Sequence, residues 1–179
     1  VLTRALDAFT APGSIIGSEV QSLLLVGGSL TVLLGSLPAI FQTSVKRLLA
    51  YSSISHAGYL LLAILAIGTE GSDQALLFYT LTYSLATICA FGAYMVVAEQ
   101  NGDGSFSAFN GLGSKQPLLA AVLVISMLSL AGIPPMAGFF GKYFLFVAAF
   151  EKYPWLVVLA VINSAISIYY YFKIIIAMY

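Results

Sequence analysis

Apolar residues fill this chain in long blocks, and polar residues are mostly confined to short connections between them. A membrane helix needs about 20 apolar residues, because each adds 1.5 Å across a hydrocarbon core of about 30 Å. Residues 20–41 supply one such run, punctuated by Gly27, Gly28, Gly35 and Pro38, and residues 48–67 and 75–98 supply two more. Residues 117–149 are too long for one straight span and contain the breaker GIPP at 132–135. A fifth run covers 155–179. The pattern predicts an all-α integral membrane protein, a bundle of five transmembrane helices of which one is discontinuous, in a single membrane domain over 1–179. Five spans place the two chain ends on opposite sides. The connection 99–116, with Asn101-Gly102, Asp103-Gly104 and Gly111, is predicted to be the longest flexible loop.

Composition narrows the class further. Hydrophobic residues make up 60% and charged residues 8%, and the mean hydropathy is +1.00. A soluble domain carries about 25% charged residues, so this chain has too few to cover a water-facing surface. Seven Lys+Arg against seven Asp+Glu leave no basic signature for nucleic acid. Cys89 is the single cysteine, which excludes an internal disulfide and a cysteine metal cluster. The chain opens on Val1 without a basic segment and cleavage site, and is expected to be part of a longer polypeptide. Lys46, Arg47, Lys115 and Lys173 fall at one end of the predicted bundle. Arg4 and Lys152 fall at the other, beside Asp7, Glu19, Glu70, Asp73 and Glu151. The positive-inside rule makes the Lys46 end cytoplasmic.

Several polar groups sit at membrane depth. Ser52, Ser55, His56 and Tyr59 recur at i, i+3, i+4 and i+7 and share one helix face. His56 lies about 12 Å along its run at 1.5 Å per residue, near mid-membrane. An imidazole both accepts and donates a proton near neutrality; a histidine in this position also serves simply to bond a neighbouring helix. The third run repeats the theme with Thr80, Tyr83, Ser84 and Thr87, and the fifth with Asn163, Ser167, Tyr170 and Tyr171. Such stripes suit proton relay through hydroxyls, and equally the interhelical glue common in membranes.

Lys142, in GIPPMAGFFGK at 132–142, is the sharpest residue. A lysine at the bilayer centre costs about 2.5–3.5 kcal/mol on insertion scales, so it needs a wet cavity or a partner. Phe144, Leu145, Phe146, Val147, Ala148, Ala149 and Phe150 follow it, which places it inside the membrane rather than at the interface. Lys173 sits near the end of its run and is expected to reach the interface. Pro134 and Pro135 lack amide hydrogens, and Gly132 and Gly138 add conformational freedom. Unwound backbone at this depth is tolerated only inside protein or beside a water-filled cavity. A discontinuous helix beside an ionisable group is a transporter feature, and a packing kink is the plainer alternative.

The stretches VKRLLAYSSISHAGYLLLA (45–63), SLAGIPPMAGFFGK (129–142) and SAISIYYYFKIIIAMY (164–179) resemble the subunit N family of the respiratory NADH–quinone oxidoreductase, complex I. That family is one of the antiporter-like proton-pumping subunits, related to the second mitochondrial NADH dehydrogenase subunit and to the D subunit of Mrp antiporters. Lysine rather than glutamate at 142, histidine rather than glutamine at 56, and the tyrosine cluster 169–171 suit subunit N best. The resemblance implies the second of two inverted five-helix repeats, with the first repeat absent and the piece alone unable to pump. It implies that Lys142 is the lysine of the outward half-channel and that His56 passes protons along a polar axis. Ser52, Ser55, Tyr59, Tyr83, Thr87 and Asn163 would make a secondary polar path, with Gly132, Pro134, Pro135 and Gly138 forming the helix break.

The function so implied is proton translocation coupled to electron transfer from NADH to quinone, as a subunit of a translocase with no redox centre of its own. NADH, FMN, iron–sulfur clusters and quinone are expected in other subunits, and no metal site is expected here. The expected partners are the other membrane subunits of complex I, protons, water and lipid, in a bacterial inner membrane. An Mrp-type cation/proton antiporter subunit is the alternative, and a structural scaffold is a third reading.

Overall fold

In lipid a backbone amide or carbonyl has no water to bond, so apolar segments satisfy their polar backbone internally as helices. A computed structural model describes residues 15–101 and 104–179; Arg4, Asp7 and the Gly102-Asp103 pair lie outside these. The helices, in chain order, are α1 (Ile15–Ile40), α2 (Val45–Leu65), α3 (Ser72–Asn101), the one-turn α4 (Leu112–Lys115), α5 (Pro117–Ala131), α6 (Ala137–Phe150) and α7 (Pro154–Met178). Four of them, α1, α2, α3 and α7, are long and apolar enough to cross a membrane. With 15 and 14 residues, α5 and α6 each rise only about 21–23 Å, roughly three quarters of a 30 Å core. They run in series, antiparallel to α3. Gln116, at the start of α5, bonds Gln100 at the end of α3, and the Ala148 carbonyl of α6 accepts from Thr69, just before α3 begins.

The two ends of the bundle are marked by lysines on helix C-termini, where free carbonyls attract cations. Lys173 donates to the Ile40 and Gln42 carbonyls at 3.3 Å each, and its ammonium lies 5.0 Å over the Phe106 ring. It therefore joins the Lys46 end, as its position in the sequence predicts. Lys152 donates to the Ile67 carbonyl at 2.9 Å, just beyond the end of α2. Gln21 bonds Tyr153 at that same end.

The segment predicted as a flexible loop is folded where it is described. α3 continues to Asn101, Phe106–Phe109 form a 3-10 turn, and α4 follows. Phe109 is fully buried and stacks on Tyr94. The Gly104 carbonyl accepts the Val45 amide at 3.1 Å, and Ser44 pairs with Ser105 in an isolated antiparallel bridge. Two phenylalanines among small polar residues show no periodicity in sequence. They fold because helix ends leave them an apolar hollow.

Lipid tails are as apolar as leucine, so helices in membranes associate by close packing, which small residues permit. The α1–α2 crossing shows this. A Cβ on Gly35 would strike the Ser55 backbone and hydroxyl, and one on Gly58 would come within 2.6 Å of Val32 and 2.8 Å of Thr31. Gly58→Val is expected to separate the two helices at a cost of about 1–3 kcal/mol, the usual penalty of overpacking. The thermal midpoint of the purified full-length parent measures it, and an unchanged midpoint would count against a tight crossing.

Two apolar clusters follow from this packing. One surrounds Leu48, Leu49, Ala90, Val97, Phe109 and Leu123; the other surrounds Val32, Leu62, Leu145, Ala149, Leu156 and Ala160. Leu130 and Ala131 at the end of α5 belong to the first cluster and Leu145 and Ala149 of α6 to the second, so the break falls between them.

Candidate functional site in the broken helix

In an α-helix the amide of residue i serves the carbonyl of residue i−4. Proline at 134 and 135 therefore deprives the carbonyls of Leu130 and Ala131 of their partners. Gly132 ends α5 in the left-handed region, at φ +80°, where glycine meets no Cβ penalty. Its amide bonds the Leu128 and Ser129 carbonyls, and the Ile133 amide bonds Leu128 again. This cap leaves Leu130 and Ala131 unserved. The Lys142 ammonium takes both, at 2.9 and 3.1 Å, and donates a third bond to the Ser164 hydroxyl of α7 at 3.0 Å. An ammonium has three N–H donors, and here each has an acceptor. The Tyr59 ring centroid lies 5.3 Å from Nζ, within cation–π range. Lys142 is 4% exposed, so the negative end of α5 and these acceptors replace its hydration.

Glycines let the half-helices approach. A Cβ on Gly138 would fall on the Ser129 carbonyl oxygen, and the Gly138 amide bonds the Ser129 hydroxyl at 3.2 Å. Gly138, expected to be part of the break, is instead the second residue of α6. The unwound stretch is 132–136, and Gly138 contributes close approach rather than an irregular backbone.

His56 on α2 is 3% exposed and has both ring nitrogens occupied. Nδ1 is 2.6 Å from the Tyr79 hydroxyl on α3, and Nε2 is 3.1 Å from the Tyr171 hydroxyl on α7. Tyr83 stacks on the imidazole at 4.6 Å. A small cavity of about 10 Å³ lies beside it, lined by His56, Tyr79, Thr82, Tyr83, Ser129 and Lys142 among others. One water needs about 10–15 Å³ on this measure, so the space between the histidine and the lysine is water-sized. The arrangement can hold a cation at the break and pass a proton between hydroxyl, imidazole and amine.

The other sequence candidates divide. Tyr59 joins the site: it accepts from Asn163 Nδ2 at 2.8 Å and meets His56 edge-on at 5.6 Å. Ser55 faces α1, donating to the Val32 carbonyl at 3.3 Å and lying 2.9 Å from the Ser36 hydroxyl. Ser52 donates to the Leu49 carbonyl of its own helix at 2.7 Å. Thr87 Oγ1 and Asn163 Oδ1 are buried with no hydrogen-bond partner among the described residues. Of the other hydroxyls in the third run, Ser84 is exposed and Thr80 bonds its own helix at Leu76.

Sequence reasoning missed Tyr79, Ser164 and Thr82 as site residues, and did not pair Tyr171 with His56. Tyr79 carried a signal, since it lies four residues before Tyr83 on the same face. Ser164, beside Asn163, had none. Among the described residues no group of three or more His, Cys, Asp or Glu is placed to hold a metal ion.

A buried lysine on the free carbonyls of a broken membrane helix, next to a histidine across a water-sized cavity, is an arrangement characteristic of membrane proteins that move ions. Residues 2–167 match the family described as "NADH:quinone oxidoreductase/Mrp antiporter, TM", and the chain belongs to that family. It is 49% identical over 150 residues to the "NADH-quinone oxidoreductase subunit N 2" of Acidobacterium capsulatum, covering 81% of this chain and 30% of the relative. It therefore spans about a third of the length of the curated relatives that it matches. A chain of respiratory complex I from Thermus thermophilus, solved with bound Aureothin, is 45% identical with a TM-score of 0.77, covering 88% of this chain and 36% of that one. A chain of the Mrp complex from Dietzia sp. is 29% identical with a TM-score of 0.78, covering 96% and 33%.

Proposed function

We infer that this chain is the proton-translocating part of a subunit N of NADH–quinone oxidoreductase. The observation that carries the reading is the Lys142 ammonium, buried on the Leu130 and Ala131 carbonyls and sharing a water-sized cavity with His56. Lys142 holds the proton, His56 reloads it, and Tyr79, Tyr171 and Tyr59 orient the imidazole and the ammonium. Charging a neighbouring site drives the proton outward. Ser52, Ser55, Tyr83, Thr87 and Asn163 serve as the secondary polar path, and Gly132, Pro134 and Pro135 keep the helix open beside Lys142. The parent lies in a bacterial inner membrane with the Lys46 end cytoplasmic, among the other membrane subunits of complex I. NADH, FMN, iron–sulfur clusters and quinone belong to those other subunits, and electron transfer reaches this chain only as electrostatics.

An Mrp-type cation/proton antiporter is the second reading, supported by the shared family and by the likeness to the Dietzia complex. The higher identity to the complex I chain, 45% against 29%, favours the first. Purifying the full-length parent from its own membranes separates the two readings, with redox subunits expected to accompany it. Sodium transport in vesicles without any redox partner would overturn the complex I reading. His56→Ala in the same parent is expected to lower proton pumping severalfold while the complex still assembles. Pumping at the wild-type rate would make His56 a packing residue.

A further inference from the structure

The cradle around Lys142 is built from groups that do not belong to the lysine. Leu130 O and Ala131 O are held in place by the end of α5, Ser164 Oγ by α7, and the Tyr59 ring by α2. Tyr59 is itself held by Asn163 at 2.8 Å. Three acceptors and one aromatic face converge on a single point from three helices and match the three N–H donors and the charge of a primary ammonium. The lysine backbone enters from a fourth helix, α6, and contributes only the stem. Stem and head both run along Gly132, where a Cβ would lie 3.0 Å from Lys142 Cδ and 3.3 Å from Nζ, so the stem leads directly into the cradle.

We propose that this cradle is a receptor site for a small primary ammonium ion, occupied in the wild-type chain by the tethered head of Lys142. Free ammonium and methylammonium are its ligands once the tether is cut. In the intact chain the tethered head presents an effective concentration in the millimolar range or above, so free ligand does not compete. The proposal rests on the reading of Lys142 as the working cation of the break, but its test reads binding and not pumping.

Lys142→Ala in the full-length parent, purified as its intact complex in detergent, empties both stem and cradle. Equilibrium dialysis with radiolabelled methylammonium is expected to find one saturable site per complex that the wild type lacks. Ammonium should displace the label, whereas tetramethylammonium, with no N–H to donate, should not. Adding Ser164→Ala removes one of three acceptors and is expected to weaken binding about tenfold or more. Lys142→Met fills the space of the lysine stem up to the cradle and should show no site. If the alanine variant does not assemble, Lys142→Ser replaces it with the same expectation. Binding no greater than in the wild type, binding indifferent to Ser164→Ala, or equal displacement by tetramethylammonium overturns the proposal. Normal pumping by Lys142→Ala would instead defeat the proton-carrier reading and leave the binding result standing.

Discussion

Lys142→Ala in the full-length parent is expected to lower proton pumping, and the quinone reductase activity coupled to it, by about a hundredfold, the low end of what a positioned proton-transfer group contributes. The side chain is the only basic group among those lining the cavity besides His56, so no neighbour replaces it. The substitution also strips Leu130 O, Ala131 O and Ser164 Oγ of their common donor. Each buried polar group left unsatisfied costs about 1–3 kcal/mol, so a stability loss accompanies the functional one. Lys142→Arg separates the two effects. A guanidinium keeps charge and N–H donors but is not deprotonated in proteins. The arginine variant should recover much of the thermal midpoint and little of the pumping. Pumping by Lys142→Ala within twofold of wild type, measured in vesicles with assembly checked, would remove Lys142 from the proton path.

Gly138→Ala is the second large effect expected, and it leaves Lys142 in place. Its methyl group would land on the Ser129 carbonyl oxygen, which is backbone and cannot rotate away. α6 must shift against α5, and both are tied to the same cation. A displacement of about 1 Å carries bonds of 2.9 and 3.1 Å beyond hydrogen-bonding range. The expected result is loss of pumping comparable to that of Lys142→Ala, with a destabilisation of about 1–3 kcal/mol. Gly92→Ala is the control, because a Cβ there meets nothing within 4 Å. It should leave both pumping and the thermal midpoint unchanged. Equal tolerance of the two substitutions would show that the half-helices are not held at the distance on which the cradle depends.

Much of this architecture was legible in the residues. Length and hydropathy carried the four long helices, because a span is set by rise per residue against membrane thickness. GIPP marked the break, and Lys142 just beyond it had to be internal because apolar helix follows. The prolines at 134 and 135 also orphan carbonyls one turn earlier, though that Lys142 takes those of Leu130 and Ala131 came from the structure. The segment 104–116 misled, since Gly, Asn and Asp signal turns but say nothing of whether Phe109 finds a pocket. Gly138 also misled, since its lack of a side chain permits either an irregular backbone or a close approach, and composition does not distinguish them.

By itself the sequence determined that this is a membrane bundle with one broken helix, a lysine at the break and a histidine at mid-depth. Those properties are local, set by hydrophobicity, proline chemistry and helical rise. Only the tertiary structure decided that Ser164 completes the ammonium's three bonds, that Tyr79 and Tyr171 hold the two nitrogens of His56, and that His56 and Lys142 share one water-sized cavity. The physical reason is that each of these contacts joins residues on different helices. Such contacts depend on how each helix is rotated about its axis and how deep it sits against its neighbours, and in lipid that is settled by close packing at glycines such as Gly35, Gly58 and Gly138.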